Sequence, residues 1–117
     1  MKKHFRLEKL LEIRVMDERS AAAKLSDIDS RLNRIKDNLD LIRKKQNQLY
    51  SEIVSTIQTS GNLAHLQAHL TELKEEALIL EKSLENIKKE KSGAFAAYEV
   101  ALKKRKILEK LKEKTLA

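Results

Sequence analysis

The stretch STIQTSGNLAHL, residues 55–66, decides how this chain folds. On its amino-terminal side a seam runs Leu25, Ile28, Leu32, Ile35, Leu39, Ile42, Gln46, Leu49, Ile53, Thr56, with spacings that alternate three and four. That rhythm marks the buried stripe of a coiled coil, held for about four heptads. Beyond the stretch a second seam runs Leu63, Leu66, Leu70, Leu73, Ala77, Leu80, Leu84, Ile87, Lys91, Ala94, Tyr98, Ala101, Arg105, Leu108. The two seams are out of phase. Carrying the first one forward would place Ser60, Gln67 and Lys74 in the core and strand Leu66, Leu73 and Leu80 outside it.

A reversal at the stretch resolves the conflict. Gly61 can adopt the left-handed conformation that ends a helix, and Asn62 can accept hydrogen bonds from the first free amides of the next. The expectation is an all-α fold. Helix 1 covers about 5–59, a turn 60–62 and helix 2 about 63–114, folded back as one antiparallel coiled-coil hairpin and one domain, 1–117. Facing layers then include Leu49/Leu70, Ile42/Ala77, Leu32/Ile87, Ile28/Lys91, Leu25/Ala94 and Ala21/Tyr98, with a register about three residues away left open. Gln46 and Lys91 interrupt the seam, either penalising slipped registers or as imperfections that a stalk tolerates.

Composition agrees with long helices. The chain has 117 residues, 37% charged, with two Gly, no Pro, no Cys and no Trp, which suits a narrow helix–helix seam better than a multilayered core. Without cysteine there are no disulfides, iron–sulfur clusters or thiol catalysis. No apolar run approaches the roughly 18 residues that span a bilayer, and charges interrupt the amino terminus too often for a secretory signal. A cytoplasmic protein is expected.

The regular seam breaks down toward the two ends. The same facing arithmetic gives Glu18/Ala101, Arg14/Arg105, Leu11/Leu108 and Leu7/Lys112, and two arginines opposite each other are unfavourable unless Asp17, Glu18 or Glu109 pairs with them. Leu10, Ile13, Val15, Leu102, Ile107 and Leu111 fall outside the intramolecular seam. Charge gathers here too: residues 1–9 carry a net +3 and residues 103–114 a net +5, so the rest of the chain sums to −1 within the formal +7. Apolar surface bordered by like charge suits docking to an acidic partner, although flank leucines and surface lysines are also ordinary features of a coiled coil.

Two segments resemble a known family. FRLEKLLEIR, residues 5–14, and AYEVALKKRKILEKLKEK, residues 97–114, are similar to the two ends of the FliJ family, stalk proteins of the flagellar type III export ATPase. The resemblance implies an antiparallel two-helix coiled coil with no catalytic residue, acting as stalk and general chaperone in flagellum biogenesis and so, indirectly, in chemotaxis. It implies as partners a hexameric export ATPase, a membrane export-gate protein and export chaperones, with attachment to the inner-membrane gate only through partners. Carried onto this chain, Phe5, Leu7, Leu10, Leu11, Arg14, Leu102, Arg105, Leu108 and Leu111 would meet the ATPase ring, while Lys103, Lys104, Lys106 and Lys110 would steer it electrostatically. Stalks of non-flagellar type III secretion share the design and remain an alternative.

Other chemistry finds little support. His65, His69 and Glu72 share a helix face at zinc-ligand spacing, but no fourth ligand accompanies them, and solvated histidines are the simpler reading. No phosphate loop or catalytic triad is present, so neither enzyme activity, cofactor, metal nor small-molecule substrate is expected. A nucleic-acid-binding coiled coil could use Lys103–Lys106, yet no reading motif or stacking aromatic goes with them, and no nucleic acid is expected. A scaffold dimerising through Tyr50, Leu78 and Phe95 is the third alternative.

Overall fold

The computed structural model describes residues 2–59 and 62–116. Two helices account for nearly all of them: α1, Lys2–Gln58, and α2, Ala64–Leu116. They run antiparallel. The helices reach slightly further toward the termini than expected, because nothing in either end sequence, proline or glycine, stops them. At the end of α1 the Thr59 amide still donates to the Ser55 carbonyl, 3.1 Å. The Thr59 hydroxyl donates to the carbonyls of Ser55 and Thr56, both at 3.2 Å, adding a second bond at Ser55 and giving Thr56 a partner close to the helix end, where carbonyls run out of backbone donors. Across the turn Asn62 Oδ1 accepts from the Ala64 amide at 3.0 Å, the cap that its position suggested. The role expected of Gly61, like the conformation of Ser60, lies outside the described residues.

Both helices contribute to each of two compact units. The turn unit comprises residues 31–88. Its core is aliphatic: Ile42 and Leu49 of α1 cluster with Leu66, Leu70 and Leu73 of α2, and Ile53, Ala77 and Leu80 pack against them. Leu32, Leu39 and Ile87 are buried in the same unit. Gln46 is half-buried, so its amide keeps access to water and escapes the penalty of an unsatisfied polar group in a core.

The terminal unit comprises residues 1–30 and 89–117 and is built differently. Only Ile28, Ala94 and Leu108 are buried among its described residues. Charged side chains bridge the helices instead. Lys91, expected over Ile28, extends its ammonium to Asp29 at 2.8 Å, and Lys112, expected over Leu7, reaches Glu8 at 3.6 Å. In both cases a long flexible stem carries the charge one residue past the facing position. All the buried side chains of both units lie on the two seams read from spacing.

Candidate docking surface at the paired termini

The helices bring residues 5–19 of α1 and 100–115 of α2 together in the terminal unit. The two arginines that spacing sets opposite each other are accommodated by three carboxylates. Arg14 Nη1 donates to Asp17 at 3.5 Å. The Arg105 guanidinium donates through Nε and Nη2 to the two oxygens of Glu18, the latter contact at 3.4 Å, and through Nη1 it meets Glu109 at 2.8 Å. Hydrogen bonding to Glu18, then to Glu109, raises the Arg105 pKa above its ordinary value. A raised value in a base means the interaction is complete at neutral pH and lost only in strong alkali, as pH climbs through that raised value.

The residues assigned to the ring separate into three environments. Phe5, Leu10 and Leu111 are exposed, and Lys9 Nζ stands 5.6 Å from the centre of the Phe5 ring, within cation–π range. Leu7, Leu11, Arg14, Leu102 and Arg105 are half-buried. Leu108 is buried in the seam, so it supports the surface from beneath. Leu10 and Arg14 from α1 and Lys104, Ile107 and Leu108 from α2 line one shallow groove. Leu11 lies in another, with Val15, Met16, Glu12 and Lys112. Leu102 lines neither groove.

Lys103, Lys104, Lys106 and Lys110 are exposed and enter no ion pair among the described residues. Four of the acids nearby are engaged: Glu8 with Lys112, Asp17 with Arg14, Glu18 and Glu109 with Arg105. The surface therefore carries an excess of ammonium groups, which attract an acidic partner over a Debye length of about 8 Å at physiological salt.

Ile13, Met16 and Ile107 belong to the exposed apolar surface as well, although the family-based assignment left them out. Their signal was available. Ile107 directly precedes the seam residue Leu108, and Ile13 directly precedes Arg14, which falls on the seam, so each stands on the flank of its helix beside the seam.

His65, His69 and Glu72 are exposed, and among the described residues no group of three His, Cys, Asp or Glu could hold a metal ion. No described helix is long and apolar enough to cross a membrane.

The profile of the family described as flagellar FliJ protein matches residues 2–117. No individual curated protein and no solved structure matches significantly. On the strength of a match along nearly the whole chain, this protein belongs to the FliJ family, the non-catalytic central-stalk and chaperone components of flagellar type III protein export.

Proposed function

We propose that the terminal unit is the part of this stalk that enters the hexameric export ATPase, promoting ring assembly and ATP hydrolysis, and that residues 1–117 act together as one domain. Family membership supplies the export ATPase and the export gate as partners. The docking set is Phe5, Leu7, Leu10, Leu11, Arg14, Leu102, Arg105, Leu108 and Leu111, of which Arg105 and Leu108 act from beneath the surface, with steering by Lys103, Lys104, Lys106 and Lys110. One observation supports it above the rest. Both chain ends meet in one unit where exposed aliphatic side chains stand among lysines that lack ion-pair partners among the described residues.

The effect on the ring follows from linkage. A stalk that binds the assembled hexamer better than the free subunit shifts subunits toward hexamer by its differential affinity. Hydrolysis rises because more subunits occupy the assembled state, with no reacting group contributed by the stalk. The test mixes the purified chain with the export ATPase of the same organism, below the concentration at which the ATPase assembles alone. Hexamer fraction by sedimentation and the rate of ATP hydrolysis should rise together and saturate. An unchanged hexamer fraction with the chain in excess would refute the proposal.

A further inference from the structure

Within each unit the two helices are held together by different chemistry along the same row of α2. In the turn unit that row, repeating every seven residues, is Leu63, Leu70, Ala77 and Leu84, whereas in the terminal unit it is Lys91, Tyr98, Arg105 and Lys112. All three cations of the row reach an acid on α1: Lys91 meets Asp29, Arg105 meets Glu18 and Lys112 meets Glu8. Arg105 and Glu18 form the most enclosed of these pairs, with side chains 21% and 16% exposed. Every guanidinium nitrogen of Arg105 is already engaged by a carboxylate of this chain. Its geometry therefore points inward, toward the pairing of the helices, and leaves little of the group to offer a partner.

An apolar seam specifies register weakly when one leucine can replace another, while a half-buried charge pair specifies it strongly. Arg105 stands opposite Arg14 and reaches one turn along α1 to Glu18. Sliding α2 by about one turn away from that contact would bring the guanidinium to Arg14 and leave Glu18 half-buried without its partner, and sliding it the other way would carry Lys91 and Lys112 past Asp29 and Glu8 to positions opposite Leu32 and Leu11. Desolvated charges that lose their partner are heavily penalised. The groove that holds Leu10, Arg14, Lys104, Ile107 and Leu108 lies one turn from this clamp, and its composition depends on the register.

We infer that Arg105 is a positioning residue for ring docking: held by Glu109 on its own helix, it clamps Glu18 and so fixes α2 against α1, and Leu10 and Ile107 share one groove. This rests on the docking role proposed above. The clamp selects which apolar side chains stand together, and it does so without touching the ring. Replacing the pair by leucines should keep the helices paired, since apolar residues of similar size often substitute for a buried ion pair with no loss of stability. It should also permit more than one register.

The experiment compares the full-length chain with Glu18→Leu/Arg105→Leu and, separately, with Leu10→Ala/Ile107→Ala. Spin labels at residues 13 and 103 report register in the free stalk, urea unfolding reports stability, and ATPase stimulation reports docking. The leucine pair should hold or raise the urea midpoint and turn a single narrow distance into a broad or double one. The stalk concentration for half-maximal stimulation should rise about fivefold if one molecule in five keeps the competent register, with the same maximal rate at saturation. A single unchanged distance with unchanged half-maximal concentration overturns the inference. An unchanged distance with a lower maximal rate makes Arg105 a direct ring contact and also overturns it. A loss of stimulation that merely follows a lowered urea midpoint reduces the clamp to a stability element, which overturns the inference likewise. If Leu10→Ala/Ile107→Ala stimulates like the natural chain, the docking assignment itself fails, while the spin-label result still decides whether the clamp sets register.

Discussion

Truncating the two exposed aliphatic residues of the basic groove, Leu10→Ala with Ile107→Ala, should weaken docking and leave folding almost untouched. Leu10 is 38% exposed and Ile107 is 59% exposed, so covering both removes from water about as much apolar surface as one complete side chain. Full burial of a leucine or isoleucine is favourable by about 1.5–3 kcal/mol. Alanine retains a fraction of that area, and a loss of about 1–2 kcal/mol is the expected result. At 1.4 kcal/mol per factor of ten this is roughly a 5- to 30-fold rise in the stalk concentration that half-maximally stimulates the export ATPase. The urea midpoint should barely move, because both side chains project from the flanks of the seam and surface substitutions of this kind usually stay within about 0.5 kcal/mol. The assay is an ATPase titration against stalk concentration, paired with circular dichroism in urea on the same preparations. A half-maximal concentration within twofold of the natural chain, at equal stability, would mean that these exposed side chains do not drive docking.

Leu73→Ala removes a side chain only 4% exposed from the centre of the aliphatic cluster; it should lower stability by about 2–3 kcal/mol, the lower part of the range for buried leucines, as read from the urea midpoint. Gly93 is an exposed residue inside α2, and a Cβ added there meets nothing within 4 Å. Gly93→Ala should therefore raise stability by about 0.5–1 kcal/mol in the same measurement, and a fall would reveal a hidden constraint on the backbone. Replacing Lys103, Lys104, Lys106 and Lys110 together by glutamine should slow association with the ATPase at low salt. Stopped-flow mixing should show the difference vanish near 1 M salt, where the Debye length shrinks to about 3 Å.

Much of this was legible in the sequence because a seam is a one-dimensional signal. Spacings of three and four determine which side of a helix is covered, and the burial of Ile28, Leu39, Leu49, Leu66, Leu73 and Ile87 follows directly. The pairing of the opposed arginines was legible too, since Asp17, Glu18 and Glu109 were the acids within reach. Which acid each arginine takes was not. Glu18 and Glu109 go to Arg105 and Asp17 goes to Arg14 because side-chain direction along a helix, and not spacing alone, decides who meets whom. Spacing also left undecided how far the off-seam residues project. Leu102 is half-buried while Ile107, five residues later, is largely exposed, although both stand beside the seam. The separate construction of the two units was written in the α2 row that changes from leucine and alanine to lysine and arginine, a pattern that emerges once the units are distinguished.

Which unit enters the ring can be read by photo-crosslinking to the export ATPase during turnover, with the reactive residue placed at position 107 or at position 57. Both positions are exposed, at 59% in each case, but one belongs to the terminal unit and the other to the turn unit. Entry by the terminal unit predicts crosslinks to the ATPase from position 107 and none above background from position 57. Crosslinks from 57 and none from 107 would contradict it.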